Sequence, residues 1–131
     1  MTGQELQSLR ATLGLTRQWV AVQAGITTAK LSELETHDED VPQAVAARIG
    51  GIDNLLTAQA KHLYAVAMQE SSKAAEGELL TLQDFDSDDQ LWSSLPHLNG
   101  TPRSAYAAML QIVREAIHQN TGAKTLLYYV D

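Results

Sequence analysis

Apolar residues recur at helical spacing through the first part of the chain and change rhythm near residue 79. Thr2, with Glu5 three residues on, makes a capping box. Leu6, Leu9 and Leu13 then share one face, and Gly14 ends this first predicted helix. Thr16 caps a second, in which Trp19, Val20 and Gln23 fall on successive turns, Ala21 and Ala24 are small, and Gly25 is the stop. Thr27 caps a third, with Leu31 and Leu34 turned inward. Val41-Pro42 starts a fourth, because proline suits the first helical position. Val45, Ile49, Ile52, Leu56, Leu63 and Val66 carry that helix to about Ser72, and Gly50-Gly51 either lets another helix pack closely or, the favoured reading, makes a weak break or kink in it.

Beyond the linker-like "SSKAAEGE" the pattern shortens. "ELLTLQ" reads as a strand, "DSDDQLWSSL" as a short helix started by aspartates, and "HLNGTP" as a turn with Thr101 as N-cap and Pro102 at the first helical position. Tyr106, Leu110, Val113 and Ile117 then form one stripe of a helix, with Ala105, Met109, Ile112 and Ala116 beside it, and Gly122 closes it. "TLLYYV" reads as a second strand. Two strands alone are marginal, so they are expected to pair and to lean on the last helix.

Composition narrows the class. The chain has 131 residues, 44% apolar, which suffices for a real core, and no cysteine, which excludes disulfides, thiolate zinc sites and cysteine nucleophiles. No stretch resembles a secretory leader or a membrane span, so the expected location is the cytoplasm, with association to the nucleoid if the chain binds DNA. The net charge of −7 is unevenly placed. Residues 1–37 balance, whereas Asp38-Glu39-Asp40 and the segment 76–90 are acidic. "DFDSDD" fails the calcium-loop pattern, since its sixth and twelfth places hold Asp89 and Leu95 rather than glycine and glutamate. It reads as a solvated, helix-starting patch. His37, His62, His97 and His118 show no ligand spacing, and no nucleophile elbow or phosphate loop is present. Neither a metal, a cofactor nor catalysis is expected.

What remains is the segment 15–35, "LTRQWVAVQAGITTAKLSELE". A helix-turn-helix needs a small residue midway along its first helix, here Ala21, and a glycine opening the turn four residues later, here Gly25. An apolar plug and a hydroxyl cap must come next, here Ile26 and Thr27. With Leu31 and Leu34 inward, Thr28, Ala29, Lys30 and Glu33 are left to face a major groove and read bases, while Arg17, Gln18 and Thr27 would hold phosphates. The bland alternatives are an ordinary helical hairpin and, for Lys30, a solvated surface lysine.

Through Thr16, Ala21, Gly25, Ile26, Thr27, Leu31 and Glu35 the segment resembles the lambda-repressor-like (Xre-type) helix-turn-helix regulators, over residues 3–56. With "VPQAVAARI" and "LWSSLPHL" added, the whole chain is similar to a narrower group of small bacterial and phage regulators that includes the anti-CRISPR-associated repressors. Relatives usually carry Gln where Arg17 stands, often Trp where Leu34 stands, and often a Gly and an Arg where this chain has "THDEDVP". The resemblance implies a lambda-repressor-like helix-turn-helix bundle with its extended helix over residues 1–72. A small α+β dimerisation region with two short strands would occupy residues 73–131, in a chain that is mainly α. It implies a homodimeric, sequence-specific repressor of double-stranded DNA, with the stripe Tyr106, Leu110, Val113 and Ile117 shared between two chains. The competing reading is a protein-interaction module, antitoxin-like or a relative that has lost DNA binding. Carboxylates of the loop 36–41 pointing at the groove side of the reader would favour it.

Overall fold

Thr2 opens the first helix as the pattern requires: its hydroxyl accepts from the Glu5 N–H and the Glu5 carboxylate accepts from the Thr2 N–H, closing the capping box of α1 (Gly3–Thr12). The structure, a computed structural model, describes residues 1–73 and 79–130. Helices α2 (Arg17–Ala24), α3 (Thr28–Thr36) and α4 (Gln43–Lys73) come next; then strand β1 (Leu80–Phe85), helix α5 (Asp88–Ser94), a single 3-10 turn at Pro96–Leu98, helix α6 (Arg103–Thr121) and strand β2 (Thr125–Val130). The described chain is thus mainly helical, with two short strands. The linker-like stretch of the sequence lies in part outside the described residues.

The chain divides into two compact units, Met1–Asn54 and Leu55–Asp131, a division that falls inside α4. Side-chain chemistry explains why the later part of α4 belongs with the second unit. Tyr64 accepts from the Asn120 amide at 3.0 Å, and Gln59 is 2.9 Å from the His97 ring nitrogen. The helix runs uninterrupted through Gly50-Gly51, and a Cβ at either position would meet nothing within 4 Å. The glycines are therefore neither the predicted break nor a close-packing site. Past Leu56 the buried stripe also departs from expectation: Val66 is exposed, and Ala67 is buried instead.

In the first unit Leu6, Val20, Leu31 and Ile49 are completely buried, joined by Leu13, Leu15, Ala21, Leu34 and Ile52. Nearly all come from the apolar stripes of the helices, so this core matches the pattern closely. The entry of α1 is tight. Gly3 lies against the Leu34 carbonyl and the Glu35 backbone, where no Cβ could fit.

The second unit is a strand–helix–strand arrangement. β1 and β2 run parallel, pairing Leu80 with Thr125 through Phe85 with Val130, and both strands pack on α6. Parallel strands need a long crossover, which α5, the 3-10 turn and α6 supply. The stripe of α6 is buried within the chain itself, Tyr106, Leu110, Val113 and Ile117 being at most 2% exposed. Phe85 packs on the Tyr106 ring, and the Tyr106 hydroxyl donates to the Gln83 carbonyl at 3.2 Å. The assignment of these four residues to a contact between two chains is therefore corrected: their own chain already covers that face.

Two polar details also differ from expectation. Thr101 is not the cap of α6; the helix begins after Pro102, and its first amide, on Arg103, donates to Asp88 Oδ1 at 2.7 Å. Helix α5 does start with aspartates, Asp88 and Asp89 standing in its first turn behind the Ser87 cap. Within "DFDSDD", Asp86, Asp88 and Asp89 are exposed, but Asp84 is 2% exposed. Its Oδ1 accepts from the Phe85 N–H and its Oδ2 lies 3.5 Å from the Arg103 guanidinium. Arg103 also donates to the Phe85 carbonyl and stacks over the Tyr129 ring, tying the start of α6 to both strand ends.

Burial, helped by the charge of Asp84 and by Tyr128, pushes the Tyr106 hydroxyl from its ordinary value near 10 up to about 12. The neutral hydroxyl is thus favoured in the folded state, and that contribution is complete below pH 10 and lost as the pH rises toward 12. Tyr106→Phe should lose the bond to Gln83 but show a shallower decline in stability over this window. Urea titrations of both proteins between about pH 9 and pH 11.5 would read the difference, and parallel declines would contradict it.

Candidate nucleic-acid interface

Helices α2 and α3 owe their relative placement to caps and a turn. Thr16 accepts from the Trp19 N–H at 3.0 Å and Thr27 from the Lys30 N–H at 3.1 Å, fixing where each helix begins. Between them Gly25 adopts φ +69°, a left-handed conformation that side chains other than glycine and asparagine resist. The Ile26 N–H then donates back to the Ala21 carbonyl at 3.0 Å, and Ala21 is buried. Ile26 itself is half-buried.

This geometry gives α3 two faces. Leu31, Leu34 and Glu35 are buried, while Thr28, Ala29, Lys30 and Glu33 are all exposed. Arg17 and Gln18 at the start of α2 and Thr27 at the start of α3 are exposed as well. All seven residues expected to make base and phosphate contacts thus lie on the surface of one helix pair.

Sequence patterning did not reveal the charge cluster beneath them. Glu35 has a side chain only 1% exposed and holds two arginines. Its Oε2 accepts from Arg10 Nε at 3.0 Å, and its Oε1 accepts from Arg10 Nη2 at 3.2 Å and Arg17 Nε at 3.0 Å. Arg10 also donates to the Leu15 carbonyl at 3.1 Å. One carboxylate therefore links α1, α2 and α3. Arg17, with a side chain 43% exposed, is held through its Nε. Trp19, two positions along α2, carries the Arg48 guanidinium over its ring at 5.9 Å.

The acidic loop after α3 has separate destinations for its carboxylates. Asp38, at φ +52°, accepts from the Gln4 N–H at 3.0 Å and so adds a second cap to α1. The backbone of Asp40 bridges Thr2, and Val41 N–H donates to the Met1 carbonyl. Glu39 instead reaches Lys30: its carboxylate is 3.8 Å from Nζ, and Glu33 is 3.7 Å from the same nitrogen.

Comparison with protein-family models and with curated proteins finds no match to this chain.

Chemically, the surface formed by α2 and α3 offers hydrogen-bond donors and acceptors on a helix slim enough for a major groove. Two cations, Arg17 and Lys30, stand on it. Among the described residues no group of three His, Cys, Asp or Glu side chains is placed to hold a metal ion, and no helix is long and apolar enough to cross a membrane. Sequence reasoning missed the roles of Asp38 and Arg10 because their partners, Gln4 and Glu35, are 34 and 25 residues away.

Proposed function

We propose that the chain is a sequence-specific DNA-binding regulator of the lambda-repressor-like kind, a repressor that occupies an inverted-repeat operator as a dimer. The observation that carries this reading is the pair of faces on α3: Leu31 and Leu34 are buried, and Thr28, Ala29, Lys30 and Glu33 are exposed. Thr28, Ala29, Lys30 and Glu33 read base edges. Arg17, Gln18 and Thr27 hold phosphates, with the amides at the start of α2 and α3 adding to the attraction. Because its Nε is occupied by Glu35, Arg17 engages a phosphate through its terminal nitrogens, already oriented before DNA arrives.

A second reading is favoured by one observation. Glu39 and Glu33 bracket Lys30, so a loop carboxylate does point at the groove side of the reader, as a surface for a protein partner would have it. Exposed pairs of this kind hold weakly, about 0–1 kcal/mol each, so DNA could displace them.

Selection of bound sequences from random DNA tests the first reading, and fluorescence anisotropy on the selected duplex tests the roles. Lys30→Ala should lose about 1–3 kcal/mol on the selected site and relax the preference at one base pair. Arg17→Ala should weaken all sequences alike and flatten the salt dependence by about one phosphate contact. Glu39→Gln should raise affinity for scrambled DNA more than for the selected site, since the scrambled complex rests almost wholly on phosphates. Recovery of no sequence by either the wild type or Glu39→Gln would put the protein-partner reading first.

A further inference from the structure

β2 is a strand with one neighbour. Its inner edge pairs with β1, and among the described residues no other strand joins the sheet. An edge strand left open in solution is commonly guarded by charge, proline or a bulge. This one carries neither charge nor proline: residues 125–130, "TLLYYV", are rich in branched and aromatic side chains. The alternation of the strand gives it two faces, although Tyr129 on the helix side is itself 49% exposed. Thr125 is bonded by Arg114 from α6, and Tyr129 lies under Arg103, so the odd-numbered side chains face the helix. Leu126 and Tyr128 point the other way and are 52% and 45% exposed.

We propose that this edge is completed by β2 of a second copy of the chain, in antiparallel register about a two-fold axis through Leu127. The inference rests on the dimeric reading above and gives it a surface, in place of the buried stripe of α6. Three observations select a second copy as the occupant. Charge is the first: residues 125–130 carry no charged side chain. For a chain of net charge −7, an uncharged strand is where two copies meet with least repulsion.

Parity is the second. A two-fold axis perpendicular to the sheet keeps α6 of both copies on one side, and directly opposed residues must then point to the same face. That permits Leu126 opposite Tyr128, Thr125 opposite Tyr129, and Leu127 opposite itself. The third is complementarity. The register gives two aliphatic–aromatic pairs on the otherwise exposed face, the kind of cross-strand pair that stabilises sheets. It also converts a marginal two-stranded sheet into four strands, β1-β2-β2-β1.

The chain has no cysteine, so a single introduced thiol reports the register directly. In the full-length protein, Leu127→Cys places two thiols across the axis, where opposed residues of an antiparallel pair are about 4.5–5.5 Å apart between Cα atoms. Under mild oxidation at micromolar concentration it should form a disulfide-linked dimer in high yield. Ile112→Cys, on the exposed side of α6, should cross-link far more slowly.

Sedimentation equilibrium should show a dimeric wild type. A variant carrying Leu126→Lys and Tyr128→Lys and another carrying Leu126→Glu and Tyr128→Glu should each be monomeric with an unchanged far-ultraviolet spectrum, and should dimerise on mixing. A monomeric wild type, dimers of either charged variant alone, or equal cross-linking at 127 and 112 would each overturn the proposal. These measurements are made without DNA, so their failure leaves base recognition by α3 to be judged separately.

Discussion

Replacing Glu35 with alanine should destabilise the first unit by about 3–5 kcal/mol, the usual penalty for breaking a buried ion pair from one side. The penalty arises less from lost attraction than from what is left behind. Arg10, with a side chain only 13% exposed, directs two of its nitrogens at this carboxylate and a third at the Leu15 carbonyl. Without Glu35 its charge stays largely out of water with a single neutral acceptor. Arg17, at 43% exposure, can turn to solvent and adds little to the loss.

Two further variants separate charge from shape. Glu35→Gln keeps the volume and can still accept, so it should cost less than Glu35→Ala. Replacing Arg10 and Glu35 together with methionine and leucine should recover much of the stability, because packed apolar side chains often equal a buried pair. On the proposed DNA-reading function, the double replacement should nonetheless weaken DNA binding, since Arg17 then loses the partner that orients it. Urea denaturation measures stability and anisotropy measures binding. If Glu35→Ala fell within about 1 kcal/mol of the wild type, the cluster would not be the tie between these helices.

Gly3→Ala should destabilise the same unit by about 3 kcal/mol, at the upper end of what overpacking costs. The added methyl would run into the Leu34 carbonyl, which is backbone and cannot rotate away as a side chain could. Relief requires α1 to withdraw from the end of α3, and that also pulls the Gln4 amide from Asp38 and strains the pairing of Arg10 with Glu35. The same substitution at Gly50 or Gly51 should have the opposite sign. Both lie inside α4 with open space around the would-be Cβ, so alanine there should stabilise by about 0.5–1 kcal/mol. Thermal or urea unfolding of the three variants side by side gives the comparison. A neutral Gly3→Ala would contradict the close approach of α1 to α3, and destabilisation by Gly50→Ala would contradict the open space beside α4.

The amino-acid sequence by itself determined whatever is settled within a few residues. The capping threonines at 2, 16 and 27, the left-handed glycines at 25 and 122, and the inward stripes of the first four helices up to Leu56 are local choices. They arise from one N–H finding one hydroxyl, or from side chains repeating every three or four positions. Both strands were readable for the same reason, as was the outward set Thr28, Ala29, Lys30 and Glu33, which is simply the remainder once Leu31 and Leu34 are turned in.

Only the tertiary structure decided matters that depend on partners distant in sequence. Nothing in the Tyr106 stripe says whether its cover comes from the same chain or another; parallel pairing of β1 with β2 covers it from within. Nothing near Glu35, Asp84 or Gly3 marks them as buried. Glu35 is enclosed by arginines 25 and 18 residues away, and Asp84 meets an arginine 19 residues on. Gly3 meets a backbone carbonyl on α3. A charge or a missing side chain has no periodic signature of its own, so its meaning is set by what the fold brings against it.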